Sequence, residues 1–368
     1  MSKLRIAILG SRGIPGNYGG FETCAEELAS RLVQEGHSVT VYCCKPYSKN
    51  PERFFKGIRR VILPTIKKKS LEKLVFTLLS LIYVSFTKTD VVLMLGVSAS
   101  SFCFIPRLFG IKVVINVDGL EWRRKKWGPI ASTYLRFSER MACRTTNRVV
   151  TDARCVQDFY LKTYRKETTF IPYGARPVII PPNGVLSSLG LSPKGYVLYV
   201  SRFEPENNPL LVRRAFERVK SEKKLVMLGS APYAKEYVRQ VLESQDKRIL
   251  FPGAIYGDGY LELQSNTDLY IQATSVGGIH PALVEAIGFG HCIIANDVPE
   301  HREILEDAGI YYNGTEEDLA EKLQNALDDP EFAAECRDRV RRQSHRYSWD
   351  AITKDYIKIF EECLVKKF

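Results

Sequence analysis

Short apolar runs recur down the chain, each followed by a loop and then a segment whose apolar residues fall three and four apart. The first run is Leu4-Arg-Ile-Ala-Ile-Leu9. Phe21, Cys24, Ala25, Leu28, Ala29, Leu32 and Val33 then repeat at helical spacing up to Gly36, a suitable helix stop, and a second run covers 38–43. Strand, helix and strand in that order make a parallel βαβ unit, which implies a doubly wound α/β sheet. Further strands are predicted at 91–95, 113–117 and 148–151. A stretch dense in Pro and Gly, Ile171-Pro-Tyr-Gly through Pro181-Pro-Asn-Gly184, then breaks the pattern and reads as a linker. Alternation resumes with strands at 196–200, 225–228, 249–251, 269–272 and 292–295, and helices at 209–221, 234–244, 260–264 and 281–288. Residues 349–365 carry Ile352, Tyr356, Ile357, Phe360 and Leu364 on one helical stripe.

The expected domains are therefore 1–172 and 173–348, with 349–368 crossing back onto the first. Two Rossmann-like domains would face a cleft, with ligands in the loops after Leu9, Val117, Val200, Gly253 and Gln272. A length of 368 residues with 45% hydrophobic and 26% charged residues excludes disorder and suits two cores. Nine cysteines without a Cys-x-x-Cys pair read as buried thiols of a reducing compartment. The apolar start is too short for a signal-peptide core, so a cytoplasmic location is expected. The most apolar window, 74–86, falls short of the roughly 18 residues that suggest a spanning helix.

The net charge of +11 raises phosphorylated ligands, an anionic membrane or nucleic acid as partners. No zinc-finger, RNP-type or helix-turn-helix signature supports nucleic acid. Lys67-Lys68-Lys69 before the apolar window, and Arg123-Arg124-Lys125-Lys126 between Trp122 and Trp127, suit peripheral contact with an anionic membrane. A solvated basic face explains the same clusters.

Three loops carry candidate chemistry. Gly10-Ser-Arg-Gly13-Ile-Pro-Gly16-Asn-Tyr18-Gly19-Gly20-Phe-Glu22 ends where a helix begins, and would offer backbone N–H groups to a phosphate or sugar. It does not fit Gly-x-Gly-x-x-Gly, and the second strand ends in Cys43-Cys44-Lys45 instead of a ribose-binding acid, so hydride transfer is set aside. Ser201-Arg202-Phe203-Glu204-Pro205-Glu206-Asn207-Asn208 puts an arginine at a strand end, where it can hold a diphosphate. The plainer alternative pairs Arg202 with Glu204 or Glu206. Ser275-Val-Gly277-Gly278-Ile-His280-Pro281-Ala282-Leu283-Val-Glu285 sets Glu285 one turn inside a helix, where its carboxylate can accept from both ribose hydroxyls.

These residues resemble the retaining nucleotide-sugar glycosyltransferases of family four, with the GT-B fold. More narrowly, Gly10-Ser-Arg-Gly-Ile-Pro, Tyr18-Gly-Gly-Phe-Glu22, Asn116-Val-Asp118-Gly-Leu-Glu121-Trp122, Arg202-Phe-x-Pro-Glu-Asn-Asn208 and Val276-Gly-Gly-x-x-Pro281 are similar to a rhamnosyltransferase-type branch that builds bacterial polysaccharide. The resemblance implies a donor site of Gly19, Gly20, Arg202, Asn207, Ala254, Ile255, Gly278, His280, Pro281, Ala282, Leu283 and Glu285. It implies acceptor contacts at Tyr18, Glu22, Asp118, Glu121 and Trp122, and catalytic roles for Asp118, Arg202 and Glu285. The donor would be dTDP-rhamnose or a UDP-sugar, the acceptor a glycan or lipid-linked sugar, and no cofactor is expected. Gly277 stands where the broad family has its other glutamate, Asn207 where it has a lysine and Asp118 where it often has a histidine. These departures put recognition of a UDP-glucose-type donor in doubt.

Cleavage of the anomeric bond leaves negative charge on the departing diphosphate, which Arg202, Gly19-Gly20 and the helix start at His280-Pro281 would stabilise. No aspartates stand at i and i+2, so a metal-independent reaction is expected. Asp118 would orient or deprotonate the acceptor hydroxyl, with Glu121 and Glu22 as rivals. A nucleotide-sugar epimerase and a non-catalytic sugar-binding subunit are the rival classes. The epimerase needs acid/base groups on both sides of the sugar, and His280 is the one well-placed histidine.

Overall fold

The computed structural model describes residues 3–16, 20–48, 52–66, 71–123, 127–175, 178–231, 234–276 and 280–365. The chain divides into one unit of Met1–Tyr173 with Trp349–Phe368 and a second of Gly174–Ser348.

The first unit runs β1 (Arg5–Leu9), α1 (Gly20–Gln34), β2 (Ser38–Cys44), β3 (Phe54–Phe55), β4 (Ile58–Leu63), α2 (Glu72–Ser85), β5 (Val91–Leu95), α3 (Phe104–Leu108), β6 (Lys112–Asn116), α4 (Pro129–Thr145), β7 (Arg148–Thr151), α5 (Arg154–Tyr164) and β8 (Thr169–Phe170). Its eight strands lie in the order β3-β4-β2-β1-β5-β6-β7-β8, all parallel except β3. The central strands are covered on both faces and read as continuous apolar runs, Val91–Leu95 being wholly buried. The C-terminal helix, Trp349–Val365, packs on α1 and β6, and Tyr356 Oη accepts 2.9 Å from the Asn116 amide.

The second unit runs α6 (Gly184–Ser188), β9 (Tyr196–Val200), α7 (Pro209–Glu217), β10 (Lys224–Leu228), α8 (Lys235–Leu242), β11 (Ile249–Gly253), α9 (Asp258–Asn266), β12 (Leu269–Gln272), α10 (Pro281–Phe289), β13 (Cys292–Asn296), α11 (Pro299–Leu305), β14 (Ile310–Tyr312), α12 (Glu316–Asp328) and α13 (Pro330–Ser344). Its all-parallel order β11-β10-β9-β12-β13-β14 is the 3-2-1-4-5-6 arrangement of a Rossmann sheet. Proline at the first position of α10 and Gly290 at φ 70° after its last set both ends of that helix.

Both sheets reverse direction of winding at their first strand, beside β1 and β5 in one unit and β9 and β12 in the other, where a ligand crevice opens at the carboxyl ends. Close backbone approach there demands glycine. A Cβ on Gly10, at φ 90°, would meet the Leu95 carbonyl oxygen at 2.2 Å, and one on Gly229, at φ 156°, would meet that of Ser201 at 1.8 Å. The α/β class and the Rossmann-like character of both units agree with the sequence reading. The expected helix at 209–221 stops at Glu217, and the one expected at 260–264 extends over Asp258–Asn266. The linker contains α6, whose first amides are gathered by Glu262: its carboxylate accepts from the N–H groups of Asn183, Val185 and Leu186. The 74–86 window is α2, and none of the described helices is long and apolar enough to cross a membrane.

Candidate active site

In the second unit two loops at the switch point are stitched together. Asn208, at φ 57°, donates its side-chain amide to the Ala273 carbonyl at 2.7 Å, while the Ser275 amide and hydroxyl both donate to the Glu206 carbonyl at 2.8 and 3.0 Å. Asn207 donates its side-chain amide to the Arg202 carbonyl at 2.7 Å, so it shapes the arginine loop from inside and is nearly buried. Arg202 itself lies on the open side of this loop, its guanidinium 3.7 Å from Glu204 Oε2. The plainer pairing raised from the sequence is thus present alongside the position suited to a diphosphate. Glu206 is 2% exposed, and its carboxylate oxygens have no hydrogen-bond partner among the described residues.

Glu285 sits in the first turns of α10. Leu283 and Ala286 beside it are fully buried, which leaves Glu285 at the partly exposed edge of the helix. Its Oε2 accepts from the Tyr260 hydroxyl at 2.5 Å, Tyr260 Oη accepts from the Gln264 amide at 2.7 Å, and His291 Nε2 lies 3.0 Å from Gln264 Oε1. Because Gln264 donates at one end, its oxygen accepts from His291, which places the imidazole proton on Nε2. Burial pushes His291 down to about 3, and the nearby cations Lys194, Arg337 and Arg341 act in the same direction, so the ring stays neutral. The result is a directed line of donors ending on the Glu285 carboxylate. Tyr260 and Gln264 were absent from the sequence-derived set; their one-turn spacing on α9 was legible, but their approach to α10 was not.

His280 leads into α10 with its ring 5.8 Å from that of His301. Pro281 and Ala282 are half-buried in the first turn, Ala254 is exposed and Ile255 half-exposed after β11. Gly278, like Tyr18 and Gly19, lies outside the described residues.

In the first unit, Asp118 follows β6 in the left-handed region at φ 57°, and its amide is held 2.9 Å from Asn116 Oδ1. Burial pushes the Cys24 thiol of α1 up, and the charges of Asp118 and Asp152 add to the effect. The sequence missed Lys73, from the first turn of α2. Burial lowers its ammonium pKa, while the charges of Glu121, Glu22 and Asp118, three acidic residues proposed for the acceptor, oppose that shift. Its Nζ lies 4.5 Å over the Phe21 ring.

In the glycine-rich loop the N–H groups of Arg12 and Gly16 donate to Glu22 Oε1 at 2.7 Å and Glu26 Oε2 at 2.8 Å on the first turns of α1, whereas the N–H groups expected to meet a ligand are those of Gly19 and Gly20. Two carboxylates at the start of α1 oppose a phosphate there, and Gly20 begins that helix. Trp122 also has an internal role: its indole N–H donates to Glu139 Oε2 at 3.1 Å, with Arg123 and Arg136 over its ring. Glu121 accepts from the Trp127 indole at 3.1 Å.

These two units correspond to known families. Residues 188–343 match glycosyl transferases group 1, and residues 3–176 match a domain of unknown function, DUF1972. The second unit is thus a glycosyl transferases group 1 domain, and the chain as a whole has the GT-B fold. Among solved structures, it is similar to sucrose-phosphate synthase from Thermosynechococcus elongatus, at 18% identity and TM-score 0.79 over 98% of this chain and 99% of that one. Anabaena Alr3699/HepE in complex with UDP and glucose matches at 16% identity and TM-score 0.79, covering 97% of this chain and 99% of the other. The catalytic domain of starch synthase IV from Arabidopsis thaliana, bound to ADP and acarbose, matches at 14% and 0.73, with 99% and 100% covered. No curated protein matches the chain.

Proposed function

We propose that the protein transfers a sugar, rhamnose as the leading candidate, from a nucleoside diphosphate sugar to a glycan or lipid-linked acceptor with retention, in the synthesis of a cell-surface polysaccharide. The observation that carries this reading is the orientation of Glu285 by Tyr260, Gln264 and His291 at the switch point of a Rossmann sheet, beside the Arg202 loop. A carboxylate is an acceptor-only group with about four lone-pair sites, which suits hydrogen bonds from two ribose hydroxyls. Donor-bound relatives of the same fold, with UDP and glucose or with ADP, support a nucleotide ligand.

In the transfer, the anomeric C–O bond breaks and the diphosphate departs with the electron pair. Arg202 leaves Glu204 to meet that charge. The acceptor oxygen forms the new C–O bond, and Asp118 orients the hydroxyl and takes its proton. Retention and the rhamnosyl donor rest on the resemblance of the motifs.

A thermal-shift panel of dTDP, UDP, GDP and their sugars tests the reading, because a ligand that binds the native state stabilises it by mass action. The expected result is stabilisation by dTDP and dTDP-rhamnose, lost in Glu285→Ala. A larger shift with UDP-glucose would move the donor to a UDP-hexose, and no shift with any nucleotide would remove the transferase reading.

A further inference from the structure

A second cavity of the first unit lies away from these loops. Because α4 leaves the carboxyl end of β6 and returns to the amino end of the parallel strand β7, its last turns sit at the opposite edge of the sheet from Asp118. There, between α4 and the end of α5, a cavity of about 720 Å³ is lined by Arg136, Arg140, Arg144, Arg165 and Lys166, with Phe137 among them.

Three features set this cavity apart. Arg136, Arg140 and Arg144 stand four apart on one helix, where like charges repel. Among the described residues, none of the five cations has an ion pair, although Arg213, Arg248 and Arg346 elsewhere sit 2.7–2.8 Å from carboxylates. Arg165 adopts φ 54° at the C-cap of α5, a left-handed position where glycine is commonest, so the chain holds an arginine at the cavity against its backbone preference. The carboxylate of Glu139, on the same helix, is turned inward to Trp122 and Tyr164.

Apolar side chains continue the surface. On the same face of α4, Ile130 is 89% exposed and Phe137 53%. At the other end, Arg107 of α3 donates to the Arg144 carbonyl, and next to it Leu108 is 77% exposed, with Phe109 edge-on to Phe86. Unpaired cations flanked by exposed apolar side chains suit a bilayer surface, where the charges meet lipid phosphates and the apolar groups enter the headgroup layer. A soluble phosphate would use the cations and leave Ile130, Leu108 and Phe86 without a role.

We propose that this cavity binds the phosphate of an anionic lipid headgroup, and that the α3–α4 face is where the protein rests on a membrane. The Lys67–Lys69 and Arg124–Lys126 clusters lie outside the described residues and are no part of this contact, which stands apart from the transferase reading.

The test is co-sedimentation of the full chain with phosphatidylcholine vesicles, with and without phosphatidylglycerol, at low and high salt. Each cation near an anionic leaflet contributes roughly fivefold in binding, about 1 kcal/mol, so Arg140→Ser with Arg144→Ser should weaken binding to anionic vesicles about 25-fold. Ile130→Ser with Phe137→Ser should also weaken it. Arg165→Gly should weaken binding while leaving the fold at least as stable, which separates a ligand role from a structural one. Stabilisation by nucleotide should be unchanged in every variant. Binding by the double arginine variant equal to the parent, loss of binding only on neutralising Arg123, Arg124, Lys125 and Lys126, or stabilisation by inorganic phosphate without vesicle binding would each overturn the proposal.

Discussion

The Tyr260 hydroxyl donates to Glu285 Oε2 at 2.5 Å across two helices, and everything behind it points the same way: His291 to Gln264, Gln264 to Tyr260, Tyr260 to the carboxylate. A hydrogen bond to a charged group contributes roughly 1.5–3 kcal/mol, and here it also fixes which way the carboxylate faces. Tyr260→Phe should therefore raise the donor KM by about tenfold at nearly constant kcat, since one such bond is lost and the remaining contacts stay. Glu285→Gln should cost more. Donor titrations on the folded variants decide this, and an unchanged KM in Tyr260→Phe would make the line a packing feature.

Arg202 lies 3.7 Å from Glu204 Oε2 at the end of its strand. Arg202→Ala should lower kcat/KM at least about 100-fold, because a charge-assisted contact to the leaving diphosphate is strongest in the transition state, while unfolding stability should change by less than about 1 kcal/mol for a part-exposed pair. Glu204→Gln should instead tighten donor binding by removing the competitor. Unaltered turnover in Arg202→Ala with saturating donor would leave Arg202 a solvent-facing arginine paired with Glu204 and no part of the site.

The charges of Asp118, Glu121 and Glu22 act on the buried Lys73 ammonium and oppose the effect of its burial. Asp118→Asn should stop transfer to the acceptor yet leave nucleotide-induced stabilisation intact, because Asp118 lies in the other unit from Glu285. Lys73→Met should raise the acceptor KM. The pair of measurements is a nucleotide thermal shift and a transfer assay; loss of both in Asp118→Asn would mean that the first unit has unfolded.

Much of this fold was legible because buried parallel strands announce themselves: 91–95, 148–151, 196–200 and 269–272 are observed at their predicted bounds. β4 was not read, because Arg59-Arg60 interrupts its apolar residues at the sheet margin, with Arg60 buried. α4 was hidden by its Arg, Ser and Thr content, its core stripe being as small as Leu135, Ser138, Ala142 and Thr145. In the site, Arg202 and Glu285 stood out because strand-to-helix loops carry them. Lys73 and Tyr260 did not, since each acts on a residue of another helix, and no local spacing encodes that distance.

Chelation should leave activity intact. The sequence has no aspartates at i and i+2, and in the proposed mechanism Arg202 meets the charge of the leaving diphosphate, so no bridging metal is expected. Transfer rates in excess EDTA should match the untreated enzyme. A fall in rate that Mg²⁺ or Mn²⁺ restores would overturn this mechanism.

Glu139 makes stability depend on pH in a direction that can be worked out. It is 1% exposed, and burial raises its carboxyl to about 7, although hydrogen bonds from Tyr164 and Trp122 and the charges of Arg123 and Arg136 pull it down. A carboxyl whose folded pKa exceeds its unfolded value keeps more protons in the folded state between the two values, so stability falls as pH rises there. The contribution is complete below pH 4.5, its ordinary value, and lost by about 7. A shift of this size corresponds to roughly 3 kcal/mol. Glu139→Gln carries no ionisable group and keeps an acceptor for Trp122 and Tyr164, so it should not lose that stability. The difference in urea-unfolding free energy between variant and parent should therefore grow in the variant's favour from pH 5 to pH 8. Parallel curves across that range would show that Glu139 is ionised in the fold, held by Arg123 and Arg136 more strongly than its burial opposes.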